Sequence, residues 1–289
     1  MLNIIVAPDS VAENAERYTK RIVSYLKSQK VEYAVYFSTS LDSVKDSANE
    51  LSSLGETDFV IVGGDIVIHT FLNNVKNLSK IKFGIVPVSS GDDFAKFLGI
   101  SLNPVQAIKD ILSGNVEGVD YLTANNIRVL NNIMLGASCE LYDKYSQHKV
   151  KNAFTKSLVV AKYANKFEGV NIVMDYKGER GKTELVYDMC IANGGLLDGN
   201  HVSPLSNVQD GLFNFNYAVV QDGKKKNYLS LLKKGKHIYE DKSQQFWLNS
   251  LKLTNEERKI KALIDGVVYN LEELNIAVVE NGLKIYKHK

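Results

Sequence analysis

Short apolar runs alternate with segments of helical periodicity over the first 112 residues. Runs rich in β-branched and aromatic residues predict four strands, at 2–7, 31–37, 59–62 and 83–88. Apolar residues at helical spacing predict helices at 11–29, 41–54, 66–78, 94–98 and 104–112. This alternation is typical of a parallel sheet with helices on both faces. We therefore expect an α/β domain over residues 1–122.

The pattern changes after residue 122. Further strands are predicted at 127–135, 170–176, 183–192, 213–220, 245–253, 260–264 and 276–279. Glycine-containing turn pairs separate them, at 177–178, 193–194, 210–211, 222–223, 265–266 and 281–282. Helical segments interrupt this series at 150–167 and 228–232. Many strands joined by such turns favour an antiparallel β-sandwich-like domain over residues 123–289.

Composition narrows the class of protein. A hydrophobic content of 45% and a charged content of 24% are those of an ordinary globular chain. The net charge of +2 gives no reason to expect a nucleic-acid partner. Cys139 and Cys190 lie far apart, which favours two reduced thiols in a cytoplasmic protein. No apolar run reaches the roughly 18 residues that a membrane-spanning helix needs.

Three short loops follow predicted strands of the first domain. They are Ala7-Pro8-Asp9-Ser10, Gly63-Gly64-Asp65 and Ser89-Ser90-Gly91-Asp92-Asp93. Ligands of parallel sheets bind outside the carboxyl ends of the strands, so these loops should line one crevice. Glycines allow backbone N–H groups to approach phosphate oxygens, and a helix start attracts anions. The pattern therefore indicates a phosphate-binding crevice.

Several motifs resemble those of the bacterial diacylglycerol kinase and lipid kinase family. Residues 63–67, GGDIV, stand where that family has GGDGT, and residues 83–100 resemble its LGxxPxGTGNDFARxLGI stretch. Further along, Asn132 and Gly136 fit its FxNxxxxG stretch, and Asn193-Gly194 fits a later NG motif. The late DGE motif has its counterpart in Asp265-Gly266-Val267. The resemblance extends over almost the whole chain.

The resemblance implies an NAD-kinase-like α/β domain, a β-rich domain with the lipid site, and ATP with Mg²⁺ in the cleft between them. The implied reaction transfers the γ-phosphate of ATP to a lipid hydroxyl, such as that of diacylglycerol, in phospholipid metabolism. By motif matching, the nucleotide site comprises Gly63, Gly64, Asp65, Ser89, Ser90, Gly91 and Asp93. Asp265 would be the general base or metal-linked acid, and Asp210 a metal ligand. The resemblance also implies a lipid or membrane surface as partner, with peripheral attachment to the membrane. Whether the chain forms a homodimer stays open.

Four departures from the motifs support an alternative. Ile66 replaces a glycine, and a β-branched residue disfavours positive φ. Val67 lacks the threonine hydroxyl, Asp92 adds negative charge where ATP should lie, and Val267 replaces glutamate. The alternative is a catalytically degenerate member, or pseudoenzyme, that binds lipid or regulates. Whether the chain is an enzyme therefore stays open, as does a third option, a kinase of a soluble dinucleotide.

Each candidate residue also has a purely structural interpretation. Asp65 and Asp93 could cap helices, and the aspartates at 210 and 265 could belong to plain turns. The lysines at 224–226 and 233–236 form either a solvated face or a contact with anionic lipid headgroups. Apolar residues within 150–167 either belong to the core, which we expect, or face lipid. The five histidines form no cluster in the sequence.

Overall fold

The computed structural model describes residues 1–8, 14–88, 92–150, 152–221, 223–240 and 242–287. The chain forms two compact units: Met1–Tyr121 together with Val279–Lys289, and Leu122–Val278. The first unit thus takes up the end of the chain, whereas the sequence suggested a single boundary near residue 122. The reason lies in the last strand, whose end pairs with a strand of the first unit through Lys284 and Lys82.

The elements are numbered in chain order. The helices are α1 Ala15–Ser28, α2 Leu41–Ser53, α3 Asp65–Asn74, α4 Asp93–Phe97, α5 Pro104–Leu112, α6 Ala137–Ser146, α7 Ala153–Tyr163 and α8 Lys225–Leu232. The strands are β1 Leu2–Val6, β2 Tyr33–Phe37, β3 Asp58–Val62, β4 Lys82–Val86, β5 Val116–Ala124, β6 Ile127–Val129, β7 Asn132–Gly136, β8 Val170–Tyr176, β9 Glu179–Val186, β10 Asp188–Ala192, β11 Leu196–Leu197, β12 Asn200–His201, β13 Phe213–Ala218, β14 Ser243–Leu248, β15 Ser250–Thr254, β16 Ile260–Ile264, β17 Val267–Leu271 and β18 Glu273–Tyr286.

The first unit is the α/β structure that the sequence predicts. Its strands lie in the order β2-β1-β3-β4-β18, and all four neighbouring pairs are parallel. Helix α3 packs on this sheet through Phe71, whose ring centroid lies 5.1 Å from that of Phe59 and 5.7 Å from that of Phe83. Helix α5 approaches so closely that a Cβ on Gly84 would lie 2.3 Å from Ile111. Helices α3 and α5 thus pack tightly on the parallel sheet.

The second unit contains two antiparallel sheets that share one core. One sheet has the order β14-β13-β10-β7-β16-β17, and the other places β15 between β18 and β8, with β9 at its edge. Tyr176, Phe215 and Phe246 join the two sheets, with ring centroids 5.1–5.9 Å apart. The predicted fold class, α/β followed by a β-sandwich-like structure, is confirmed.

Several element predictions were wrong in detail. The segment 245–253 forms two strands in different sheets, because the chain turns at Asn249 between β14 and β15. Asn281-Gly282 is not a hairpin turn; it lies inside β18, where Asn281 has φ +49° and donates its N–H to Asp120. Helix α6 was missed. No helix in the described part of the chain is long and apolar enough to cross a membrane.

Candidate functional site

Strand β3 leads directly into the two glycines before α3. Gly64 caps the helix with extended backbone, φ −92°, and supplies no side chain. At Gly63 an added Cβ would lie 2.9 Å from the Cβ of Val67. Gly63 is therefore required by close packing against the first turn of α3. The backbone N–H groups at the start of a ten-residue helix are suited to bind an anion.

The structure changes the interpretation of two residues that differ from the family motif at this loop, Ile66 and Val67. Ile66 is the second residue of α3 and has helical backbone, so the expected need for positive φ at this position is wrong. Its side chain is half-buried. Val67 is fully buried and packs on Gly63. A threonine hydroxyl at position 67 would therefore enter the core, so its loss does not remove a group from the loop surface.

Asp65 connects two of the predicted loops. Both of its carboxylate oxygens accept the backbone N–H of Phe94, at 3.1 and 3.2 Å. Phe94 belongs to the first turn of α4, whereas the cap of Asp65's own helix is Gly64. The interpretation of Asp65 as the cap of α3 is therefore wrong, because its carboxylate stabilises the start of the next helix instead.

The second predicted loop is described only from Asp92 onward. Asp92 occupies the cap position of α4 without a side-chain cap hydrogen bond there, and Asp93 is the first residue of the helix. Both are almost fully buried, and Asp93 lies 3.8 Å from the Nζ of Lys96. Because Asp92 is buried, its charge is not displayed on an open loop. Ser89, Ser90 and Gly91 lie outside the described residues, as do Asp9 and Ser10.

Asp265 forms the turn between β16 and β17. Asp265 and Gly266 have φ +46° and +87°, and the flanking residues 264 and 267 pair with each other, so this is a two-residue hairpin. The buried carboxylate accepts the N–H groups of residues 130, 131 and 132, at 2.8, 2.9 and 3.2 Å. Asp265 thus ties the hairpin to the chain entering β7, and its assignment as general base stays a prediction.

Asp210 lies in an exposed turn of the second unit. One of its carboxylate oxygens accepts the N–H of Leu212 at 3.0 Å, and Gly211 has φ +69°. In the described ranges no three His, Cys, Asp or Glu side chains are grouped so that they could hold a metal. The assignment of Asp210 as a metal ligand stays a prediction.

A pocket of about 80 Å³ lies within the second unit, and no sequence pattern predicted it. Its apolar walls come from α6, α7, α8 and the β11–β12 hairpin, through Leu141, Val159, Val160, Leu197, Val202, Leu229 and Leu232. Polar and charged groups are few: Ser138, Asn200, the tyrosines 142 and 145, Lys156, Asp198 and Lys233. Lys156 and Asp198 pair at 2.9 Å. An apolar cavity with a few charged groups suits a small amphiphile.

A buried carboxylate supports one wall of this pocket. Asp188 accepts hydrogen bonds from the N–H and Oγ of Ser138, at 2.9 and 2.8 Å, and from the hydroxyl of Tyr228 at 3.4 Å. Burial raises the pKa of the Asp188 carboxyl to about 7. The ring of Tyr228 also contacts the ring of His237, whose pKa burial lowers to about 4. These groups are too far apart in sequence for spacing to reveal them.

Comparison with known proteins agrees with the motifs. Residues 1–124 match the diacylglycerol kinase catalytic domain. The resemblance predicted from the sequence is confirmed. A "Putative lipid kinase" of Staphylococcus carnosus (strain TM300) is 24% identical over 244 residues, covering 78% of this chain and 76% of the relative. One of Staphylococcus aureus (strain bovine RF122 / ET3-1) is 26% identical over 243 residues, covering 78% and 75%.

Solved structures share the fold of this chain. A "putative diacylglycerol kinase" from Bacillus anthracis superposes with a TM-score of 0.80 at 18% identity, covering 99% of this chain and 96% of the other. Yeast NADH kinase superposes with a TM-score of 0.50 at 11% identity, covering 100% and 84%. The predicted relation to the NAD kinase fold is therefore confirmed, at the level of fold.

Proposed function

We propose that this protein is a lipid kinase that transfers the γ-phosphate of ATP to the hydroxyl of a lipid alcohol. The observation that carries the proposal is the apolar pocket of the second unit, in a chain whose first 124 residues match a diacylglycerol kinase catalytic domain.

The lining of the pocket favours a lipid over a soluble alcohol. Side chains such as Val159, Leu229 and Leu232 would exclude water from an acyl or alkyl chain. Lys233 and the pair of Lys156 with Asp198 would interact with a polar headgroup. A soluble dinucleotide would find few hydrogen-bonding groups in this pocket. We therefore prefer a lipid kinase to a kinase of a soluble dinucleotide.

The start of α3 fits the phosphates of ATP in part. Gly63 brings the chain close to α3, and the helix start offers backbone N–H donors. ATP, when bound, would supply the phosphoryl group. Mg²⁺ is usually held by one or two carboxylates together with the phosphates rather than by a cage of protein ligands.

A direct assay tests the proposal. The purified protein is incubated with labelled ATP, Mg²⁺ and a panel of diacylglycerol, monoacylglycerol and long-chain amino alcohols, with NAD in a separate reaction. We expect labelled lipid phosphate, and a strong loss of product when Val160→Trp fills the pocket. Leu185→Trp, on the exposed edge strand β9, is the matched control and should retain activity. Absence of product across the panel would refute the kinase.

A second function, lipid binding without phosphoryl transfer, is favoured by one observation. Ile66 places a branched, half-buried side chain in the first turn of α3, where the related motif has glycine. Calorimetry separates the two functions. Micromolar binding of ATP with Mg²⁺ supports the kinase, whereas lipid binding with no ATP binding supports the degenerate member. Transfer of phosphate to NAD alone would favour the dinucleotide kinase.

A further inference from the structure

Helix α7 has two different apolar faces. Lys156, Val159 and Val160 line the pocket, and Val159 is almost fully buried. Phe154 and Leu158 point the other way and are 72% and 52% exposed. They lie one turn apart, so they are neighbours on the same side of the helix. The sequence-based expectation that this segment is core is therefore correct for Val159 and wrong for Phe154 and Leu158.

The surroundings of the exposed pair are positively charged. In the sequence from 149 to 166 the only charged residues are lysines. Lys149, Lys162 and Lys166 are exposed, and Val150, just before the helix, is 63% exposed. Large exposed apolar side chains beside lysines form the pattern of a helix that lies in a membrane interface.

We propose that this surface, formed by Val150, Phe154 and Leu158 with Lys149 and Lys162, docks the protein on an anionic lipid bilayer. Phe154 and Leu158 would enter the headgroup region, where their apolar area leaves water. The lysines would remain at the phosphate level and attract anionic lipids. We name these five residues the α7 docking surface.

Charge decides between a bilayer and a second copy of the chain. A two-fold homodimer through the α7 docking surface would bring the same lysines from both copies together, since such an interface is self-complementary. Like charges would then repel each other. An anionic bilayer is complementary to them, and the opposite face of α7 lines the apolar pocket, so docking would hold that pocket close to a source of lipid.

Vesicle sedimentation tests the proposal in the absence of ATP, and so independently of phosphoryl transfer. Vesicles contain either phosphatidylcholine alone or phosphatidylcholine with phosphatidylglycerol. We expect the wild-type protein to bind the anionic vesicles, and less so in high salt. The double substitution Phe154→Ser, Leu158→Ser should weaken binding at least tenfold. The matched control is Leu54→Ser, Leu102→Ser, at residues 74% and 57% exposed in the first unit, and should bind within about twofold of wild type.

A second measurement guards against misfolding of the double variant. Phe154→Cys is labelled with an environment-sensitive fluorophore, which is selective because Cys139 and Cys190 are buried. Emission should shift to the blue on addition of anionic vesicles. An unchanged emission, equal binding of the double variant and wild type, or equal binding to neutral and anionic vesicles would overturn the proposal. A change from dimer to monomer with unaltered vesicle binding would assign the surface to a second copy instead.

Failure of docking is distinguishable from failure of the proposed function. The double variant should still phosphorylate a dispersed short-chain lipid alcohol, because neither residue lines the pocket. A wild-type protein that binds vesicles but transfers no phosphate would refute only the kinase.

Discussion

The carboxylate of Asp65 accepts the backbone N–H of Phe94, and so joins the start of α3 to the start of α4. The two helices follow the two loops that the sequence predicts to hold phosphate. Asp65 therefore acts as a brace between them, in addition to any role toward a ligand. The negative charge lies beside the positive end of the α4 dipole, which is the favourable arrangement.

Removal of this brace should destabilise the first unit. We expect Asp65→Ala to lower the free energy of unfolding by about 2 kcal/mol, because Phe94 loses its charged acceptor. Asp65→Asn retains one acceptor oxygen and should cost about 1 kcal/mol. Urea unfolding measures both, with the exposed Asp46→Ala on α2 as control, expected within about 0.5 kcal/mol of wild type. Equal stability of all three variants would show that the brace is energetically unimportant.

Asp265 and Asp210 provide a matched pair of aspartate-glycine turns. Asp265→Asn should cost about 2–3 kcal/mol, since one amide oxygen cannot replace two carboxylate oxygens that accept three backbone N–H groups. Asp210→Asn should change stability by less than about 0.5 kcal/mol, because the turn is exposed and asparagine forms the same contact with Leu212.

The same pair distinguishes structure from catalysis. If Asp265 is also the general base, Asp265→Asn should abolish lipid phosphorylation at temperatures where circular dichroism shows it folded. Loss of activity in proportion to the unfolded fraction would assign Asp265 a structural role alone.

The loop at Gly63 and Gly64 shows which features of the site could be predicted from the sequence. Strand, glycines and helix were predicted in the right places, because β-branched runs and glycine pairs are local signals. The directions of side chains were not predictable, since they depend on packing between distant segments. Val67 points into the core because Gly63 gives it room, and Asp65 turns to α4 because Phe94 lies there. The pocket escaped prediction for the same reason, as its walls come from segments between 138 and 233.

Substitutions at Ile66 and at Val67 should affect ATP affinity differently. Because position 66 is helical, the bulk of isoleucine rather than its φ would hinder phosphate. Ile66→Ala should therefore raise ATP affinity as much as Ile66→Gly, by about tenfold or more, while glycine costs about 1 kcal/mol more stability. Calorimetry with ATP and Mg²⁺ gives the affinities, and urea unfolding the stabilities.

Val67→Thr supplies the contrast. It should leave ATP affinity unchanged and cost about 1–2 kcal/mol, because it buries a hydroxyl in an apolar core. A gain in ATP affinity from Val67→Thr alone would show that the side chain at position 67 reaches the nucleotide.

Asp188 and His237 should act on stability in opposite directions as pH changes. The folded-state pKa of Asp188, about 7, lies above its ordinary value of 3.8, so its contribution is full at low pH and is lost as pH rises through 7. The folded-state pKa of His237, about 4, lies below its ordinary value of 6.5, so its contribution is full above 6.5 and is lost as pH falls through 4. The two effects oppose each other between about pH 4 and pH 7.

Each single substitution should therefore reveal a pH dependence of the unfolding free energy that the opposing group cancels in the wild-type protein. Relative to wild type, the unfolding free energy of Asp188→Asn should rise by up to about 4 kcal/mol between about pH 4 and pH 7. That of His237→Phe should fall by up to about 3 kcal/mol over the same interval. Urea unfolding at four pH values measures both differences. Because the ring of Tyr228 contacts His237 and its hydroxyl reaches Asp188, the double variant should deviate from additivity. Stability–pH profiles parallel to that of wild type in both single variants would contradict the raised pKa of Asp188 and the lowered pKa of His237.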